Sequence, residues 1–158
     1  MKWKTSTTVF VVTAFIAAII VAWHWLDFPS AVSTPAAADV IVYKDPNCGC
    51  CNKWVEHLRE HGFNVTAQND VRVDKIKAAR GVPPALGACH TAIVQGYVVE
   101  GHVPADTIKR LLRERPAIKG IAVAGMPAGS PGMEGPYHES YNVMSFDASG
   151  QTEIYERH

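Results

Sequence analysis

Residues 39–62 read DVIVYKDPNCGCCNKWVEHLREHG, and two different apolar patterns follow each other in this segment. Its first six residues form an apolar run typical of a short buried strand. From Cys51 onward, apolar side chains recur on one helical face (Cys51, Trp54, Val55 and Leu58), and Gly62 is a typical helix stop. The stretch therefore predicts strand, loop and helix, with cysteines occupying the loop.

The next segments show the same two periodicities. FNVTAQ (63–68) alternates like a second strand, and DVRVDKIKAARGVPP (70–84) predicts a short helix with Asp70 as its candidate N-cap. TAIVQGYVVEGH (91–102) consists of two apolar runs joined by a Gln-Gly pair, which indicates a β-hairpin. These segments predict a strand, a helix and two paired strands.

The C-terminal third adds a helix and a second hairpin. PADTIKRLLRER (104–115) predicts a helix whose first position is Pro104. YNVMSFDASGQTEIYE (141–156) predicts a terminal hairpin in which Met144 and Phe146 share a core-facing side. The predicted fold class is α/β, with a β-α-β-α-β-β-α core, a C-terminal loop and a β-hairpin extension.

This order, with a cysteine motif between the first strand and the first helix, resembles the thioredoxin-like fold. The resemblance implies that the loop before the third strand, GVPPALGACHT (81–91), faces the motif. Cys89 lies where thioredoxin relatives carry a proline. We therefore expect the Cys89 thiol to meet those of Cys48, Cys50 and Cys51.

The N-terminal segment indicates export. Lys2 and Lys4 precede an uncharged apolar run, TTVFVVTAFIAAIIVAWHW (7–25), typical of a signal peptide or a membrane anchor. Lysines of this kind stay on the cytoplasmic side, which puts the rest of the chain in the periplasm. We predict a signal peptide or inner-membrane anchor plus a linker over residues 1–38 and a folded domain over residues 39–158.

Composition limits the function classes. The chain of 158 residues is 47% hydrophobic and 19% charged, which is enough for one ordinary core. It carries 15 Lys and Arg residues and 15 Asp and Glu residues, so its charge is balanced. This balance excludes a basic surface for nucleic acid.

The spacing Cys48, Cys50, Cys51, with Cys89 as the fourth thiol, points to metal chemistry. Neighbouring cysteines at a helix start point in different directions, so several ions that share bridging sulfurs suit them better than a single ion. Thiolates select Cu(I), with zinc as the main rival. The alternative is a pair of structural disulfides, which is common in exported domains. The crowding of the thiols disfavours that alternative because such bridges would be strained and reactive.

Methionines and a histidine extend the candidate site. Met126 and Met133 lie in AGMPAGSPGME (124–134), a Gly- and Pro-rich segment without helix or strand period, and thioethers bind Cu(I). The alternative is that both methionines fill gaps in the core. His90, at the entry of the first hairpin beside Cys89, and His102, at its exit, are both expected near the sulfur cluster, and His102 is the expected further ligand. The remaining candidates are assigned ordinary roles: His57, His61 and His138 as solvated side chains and Trp54 as a core residue that shields the site.

Three blocks together carry a closer resemblance, namely KDPNCGCCNKWVEHLREHGF, GACHTAIVQGYVVEGHVPADTIKRLL and GMPAGSPGME. They resemble the CopG-like copper-resistance proteins, a family of exported bacterial proteins with a CxCC motif. The resemblance implies a thioredoxin-like domain that binds copper in the periplasm. It also implies cluster ligands at Cys48, Cys50, Cys51 and Cys89, with accessory ligands at His102, Met126 and Met133.

The sequence thus predicts a periplasmic copper-binding protein of copper resistance and homeostasis. Its cofactor is Cu(I), more than one ion per chain, held by bridging thiolates, and its partners are copper ions and other periplasmic copper-handling proteins. Storage, delivery and redox cycling by a copper-dependent oxidoreductase remain open. The alternative is a thiol-disulfide oxidoreductase that uses Cys48 as nucleophile and Cys51 as resolving thiol, with Cys50 and Cys89 as a second dithiol.

Overall fold

The structure is a computed structural model that describes residues 38–158. The predicted signal peptide or anchor and nearly all of the predicted linker lie outside the described residues, so these features and the domain division at residue 38 stay predictions. In the described part of the chain, every helix is too short or too polar to cross a membrane.

The described residues form three helices and seven strands, which follow the predicted order with one additional strand and confirm the α/β class. The core elements are β1 (Asp39–Lys44), α1 (Gly49–Glu60), β2 (Asn64–Asn69), α2 (Val73–Ala79), β3 (His90–Val94), β4 (Tyr97–Glu100) and α3 (Ala105–Glu114). The extension adds β5 (Gly120–Ala122), β6 (Asn142–Phe146) and β7 (Thr152–Arg157), and a short 3₁₀ turn covers Pro84–Leu86. The thioredoxin likeness itself stays a prediction.

All seven strands join one sheet in the order β2-β1-β3-β4-β5-β6-β7. The β1/β2 and β4/β5 pairs are parallel, and the other pairs are antiparallel. In the β1/β3 pair, Lys44 at the end of β1 lies opposite His90 at the start of β3. This register brings the loop with the cysteine motif beside the loop that carries Cys89.

Helices α1 and α3 share one hydrophobic core with the sheet. The α1 side chains on the predicted apolar face, including Trp54 and Leu58, are buried, as are Ile108 and Leu111 of α3. Each such large apolar side chain contributes roughly 1.5–3 kcal/mol when it is fully buried. Met144 and Phe146 pack in a second cluster beside β4 and β5, which confirms the prediction that they share a face.

Several predicted boundaries need correction. Asp70 is not the N-cap of α2, because its carboxylate accepts hydrogen bonds from the main chain and guanidinium of Arg72 instead. Pro104 is the N-cap of α3 and not its first helical residue. Helix α1 begins at Gly49, earlier than the apolar pattern indicated.

The strand β5 was not predicted. It has only three residues, and it becomes a strand because it pairs with β4 on one side and β6 on the other. The Gln-Gly turn was predicted correctly: Gln95 has φ 45° and Gly96 has φ 88°, as the hairpin turn requires.

Candidate metal centre

Three of the four cysteines lie at the N-terminus of α1. Cys48 is the N-cap residue, and its Sγ accepts a hydrogen bond from the main-chain N–H of Cys51 at 3.3 Å. Cys51 is fully buried on the core side of the helix, whereas Cys50 is half-buried and faces outward. Cys48 and Cys51 form a disulfide, and Cys50 and Cys89 are free thiols.

The fourth cysteine closes the group. The Sγ of Cys50 lies 3.5 Å from the Sγ of Cys48 and 4.0 Å from the Sγ of Cys89. The four Sγ atoms lie within 4.8 Å of one another. The prediction that Cys89 meets the other three thiols is therefore confirmed. The alternative, a pair of structural disulfides, is not formed: only Cys48 and Cys51 are joined, and Cys50 and Cys89 remain free.

His102 contacts the cluster through Cys89. Its Nε2 atom lies 3.1 Å from the Sγ of Cys89, and its Nδ1 atom lies 2.8 Å from the carbonyl oxygen of Pro131. A carbonyl accepts only from a protonated nitrogen, so Nδ1 carries the proton and Nε2 presents a lone pair to the sulfur. Burial lowers the pKa of His102 from its ordinary value of 6.5, which keeps the ring neutral.

His90 is a cluster neighbour that the sequence-based ligand set omits. Its Nδ1 atom lies 3.3 Å from the Sγ of Cys89, and its ring lies 4.3 Å from that of Trp54. The side chain is fully buried, which lowers its pKa well below 6.5. Nitrogen atoms of His90 and His102 and the Sγ of Cys89 form a second group that fits a metal ion. The available signal was the direct adjacency of His90 to Cys89.

The two loop methionines occupy different positions. The Sδ of Met126 lies 3.9 Å from the Sγ of Cys50, and 52% of the Met126 residue surface is exposed. The alternative that Met126 fills a core gap is therefore wrong. Met133 is half-buried in a turn in which its N–H donates to Ser130 and its carbonyl accepts from Gly129. Its role as a ligand stays a prediction.

Close packing holds the methionine loop against α1. Gly132 has φ +87°, and a Cβ atom at this position would lie 2.8 Å from the carbonyl oxygen of Cys50 and 3.0 Å from the nitrogen of Trp54. Only glycine combines this conformation with such an approach. Gly132 thereby fixes Pro131, the hydrogen-bond partner of His102, over the cysteine motif.

A buried ion pair holds the loop before Cys89. Glu100 is fully buried, and its Oε1 accepts from the ammonium of Lys77 at 2.8 Å and from the N–H of Ala88 at 2.7 Å. Its Oε2 accepts from the hydroxyl of Thr91 at 2.6 Å, and Lys77 also donates to the carbonyl of Ala88 at 2.8 Å. Both main-chain polar groups of Ala88 are thus bound. The residue before Cys89 therefore has a defined position.

Protonation of Cys89 follows from its surroundings. Burial, reinforced by the adjacent Cys50 sulfur, raises the pKa of the Cys89 thiol to about 12. At neutral pH the thiol is neutral and donates to the Nε2 of His102. A metal ion that binds this sulfur has to displace the proton.

Comparisons with known proteins identify the family of the chain. A solved structure described as "Copper resistance protein copG- Form 2" is 43% identical, with a TM-score of 0.74, over 77% of this chain and 98% of that chain. A second, described as "Copper resistance protein copG- Form 1", is also 43% identical, with a TM-score of 0.73 and the same coverage. The chain belongs to the CopG family.

Residues 86–133 also match the family described as "Protein of unknown function, DUF411". The matched range contains Cys89, His90, His102, Met126 and Met133, and it excludes the CxCC motif. None of the curated proteins compared with the chain matches it. The match to the CopG structures is longer and covers 77% of this chain.

The donor set fits a soft metal ion. In the reduced chain, four cysteine thiolates, one thioether and imidazole nitrogens would be ligands of the kind that Cu(I) prefers, and zinc shares the cysteine and histidine ligands only. A copper-related role for this member of the CopG family therefore agrees with the chemistry of the cluster. Bound copper would supply a soft Lewis acid. The residues of the chain would set the position of the ion, balance its charge and limit its contact with solvent.

Proposed function

We propose that the protein is a periplasmic copper-binding protein that holds a thiolate-bridged, multinuclear Cu(I) cluster. The cluster ligands are Cys48, Cys50, Cys51 and Cys89, and the accessory ligands are His102, Met126 and Met133. Two structures of 43% identical relatives, both described as copper resistance proteins, support a role in copper resistance and homeostasis.

The position of the Cys50 sulfur carries this proposal. It lies 3.5 Å from the sulfur of Cys48, 4.0 Å from that of Cys89 and 3.9 Å from that of Met126. With metal–sulfur bonds of about 2.3 Å, two sulfurs that share an ion lie about 3.8–4.6 Å apart, depending on the bond angle. Cys50 is therefore close to bridging distance from three other sulfurs at once.

The disulfide sets a condition for full loading. Cys48 and Cys51 are joined, so only two of the four thiols are free in this form. Reduction by an external thiol adds two electrons and two protons and gives two thiols. The four-thiolate cluster thus requires the reduced chain, and we expect copper uptake to depend on a reductant.

Met126 favours copper over zinc. A thioether is a ligand for Cu(I), whereas structural zinc sites use cysteine, histidine and carboxylates. The Met126 sulfur lies beside Cys50 although more than half of the residue surface is exposed. A site built for zinc has no use for this contact.

A thiol-disulfide oxidoreductase is the second candidate, and the disulfide itself favours it. A Cys48–Cys51 pair at a helix N-terminus suits thiol exchange, because the helix dipole stabilises a thiolate. The pKa of about 12 at Cys89 argues against a second exchange dithiol, since a neutral thiol is a poor nucleophile. Exchange chemistry also leaves the contact between Cys50 and Met126 without a purpose.

Copper stoichiometry of the full chain tests the proposal. Reduced protein is loaded with Cu(I) without oxygen, and copper per chain is measured by elemental analysis. We expect more than one copper for the wild type and loss of the multinuclear species in Cys50→Ser. The control Asn52→Ser changes an exposed position on the same helix and should load like the wild type.

The same measurement can reject the cluster. At most one copper per chain, unchanged by Cys50→Ser, would overturn the cluster. Disulfide exchange that requires both Cys48 and Cys51 would then assign the protein to the oxidoreductases. Redox cycling of the copper is a further hypothesis with its own test. We expect the oxidised protein to show an absorption band that disappears when an electron donor is titrated in.

A further inference from the structure

The ligands of the proposed cluster differ sharply in their access to solvent. Cys51 and His102 are fully buried, and Cys50 and Cys89 are half-buried. Met126 is the exception, with 52% of its surface exposed while its sulfur contacts Cys50. The cluster therefore has one side on which a sulfur ligand meets the solvent.

The exposed methionine is held in place from both sides. The preceding residue, Gly125, donates its N–H to the carbonyl of Gly87 at 3.3 Å, in the loop that leads to Cys89. The carbonyl of the following residue, Pro127, accepts from the N–H and the hydroxyl of Ser130 at 3.2 and 2.7 Å, and Ser130 is fully buried. The anchored main chain therefore keeps the Met126 sulfur beside Cys50 while more than half of the residue surface stays open to solvent.

We propose that Met126 and Cys50 form an exchange face through which Cu(I) enters and leaves, and that its partner is a carrier that holds Cu(I) through sulfur donors. This inference rests on the proposed function and identifies the route and the partner class. It concerns transfer of copper, whereas the proposed function concerns its retention.

Each step of the transfer keeps the ion coordinated. The Sδ of Met126 first binds the ion while a sulfur of the carrier still holds it. The Cys50 sulfur, 3.9 Å away, then forms a bond to the ion, its proton passes to solvent, and the carrier sulfur leaves. Copper stays Cu(I) throughout, so no electron donor is needed. A thioether suits the first contact because it binds Cu(I) without losing a proton.

A competing role for Met126 is that of a lid that shields the cluster. A residue with half of its surface in solvent shields the cluster poorly. Its accessible thioether can instead act as a landing ligand, that is, the first ligand to bind an incoming ion. The two roles predict opposite effects of removing the sulfur. Loss of a lid accelerates exchange with a carrier, and loss of a landing ligand slows it.

Donor-dependent uptake rates test the inference on the reduced full chain. The variant Met126→Leu removes the sulfur and keeps the apolar bulk, and Met144→Leu is the matched control at a half-buried strand position. Cu(I) is supplied from a methionine-rich peptide, from glutathione and from its acetonitrile complex, and initial uptake is followed by stopped-flow absorbance. The peptide and glutathione arms distinguish thioether carriers from thiolate carriers.

We expect Met126→Leu to slow uptake from one or both sulfur donors about tenfold more than uptake from the acetonitrile complex. The donor with the larger effect identifies the carrier type, and Met144→Leu should match the wild type. Equal slowing with all three donors would make Met126 an ordinary ligand, and faster or unchanged uptake would make it a lid or a bystander. Each of these results overturns the exchange face. The copper stoichiometry of the wild type, measured separately, decides the proposed function.

Discussion

The Nε2 atom of His102 lies 3.1 Å from the Sγ of Cys89, and the opposite ring nitrogen is held by the carbonyl of Pro131. The second contact fixes the tautomer that makes the first one useful to a metal, as outer hydrogen bonds do in known metal sites. The loop that follows β5 therefore reaches the cysteine cluster through this imidazole.

His102→Asn tests the imidazole as a ligand. The amide of Asn reproduces the Nδ1–H that binds Pro131, and it removes the nitrogen that faces Cys89. We expect the Cu(I) affinity to fall about tenfold or more, measured by competition with a chromophoric Cu(I) chelator. His61→Asn is the control, because the ring of His61 binds the carbonyl of His57 in its own helix. An affinity equal to that of the wild type would remove His102 from the ligand set.

Gly132→Ala tests the packing of the loop on α1. The added methyl group meets main-chain atoms of Cys50 and Trp54, and the φ of +87° disfavours any side chain. We expect the free energy of unfolding to fall by roughly 1–3 kcal/mol, measured by urea titration. Gly135→Ala should change it little, since a methyl group there meets no atom within 4 Å. Equal values for both variants would show that the loop is not tightly packed.

Glu100→Gln tests the buried ion pair. It leaves the ammonium of Lys77 without a charged partner in a place where only 12% of the lysine side chain is exposed. We expect a loss of roughly 3–5 kcal/mol in the free energy of unfolding, the cost of breaking one side of a buried pair. Glu56→Gln removes an exposed partner of Arg59 and should cost under about 1 kcal/mol.

A double-mutant cycle with Lys77→Met completes this test. If the pair interacts as its distance indicates, the second substitution costs much less in the Glu100→Gln background than in the wild type. Additive costs would mean that each side chain stabilises the protein independently of the other.

The pH dependence of stability follows from His57. Its Nε2 accepts a hydrogen bond from the N–H of Ala105 at the start of α3, so the ring must be neutral. Desolvation, with a smaller contribution from His61, lowers the pKa of His57 below 6.5, although Glu134 and Asp106 oppose the shift. The unfolded chain then binds the proton first as pH falls.

We therefore expect stability to be fully present above about pH 6.5 and to decrease as the pH falls below it toward the lowered pKa of the folded state. His57→Gln keeps an acceptor for Ala105 without a titrating ring, so its unfolding free energy should fall less steeply between pH 6.5 and pH 5. An unchanged slope would assign the acid sensitivity to the other buried histidines, His90 and His102.

Much of the fold was predictable because its elements are strongly periodic. The apolar face of α1 and the Gln-Gly hairpin follow from spacing alone, whereas the position of the loop containing Cys89 beside the motif was expected from the thioredoxin resemblance. The short strand β5 has no period of its own and depends on its two neighbours. The role of Asp70 could not be predicted from N-cap propensity, because its carboxylate accepts hydrogen bonds from Arg72 instead.

The candidate centre was predictable in its sulfurs but not in its supporting groups. The grouping of Cys48, Cys50 and Cys51 is visible in the spacing, whereas His57 was assigned to solvent and instead caps α3. Glu100 and Lys77 lie 23 positions apart and meet only once the sheet has formed. The requirement for glycine at position 132 could not be predicted, because it depends on how closely this residue approaches the main chain of α1.

Strands β5 and β6 are adjacent in the sheet, with Ala122 opposite Met144. The long loop that connects them therefore starts and ends at neighbouring positions of the sheet. A tight turn can replace such an excursion without moving any strand. The sheet thus fixes both ends of the loop that carries Met126 and Met133, and a chain with a tight turn in its place would show what the four cysteines bind without the contacts that the loop makes with α1 and His102.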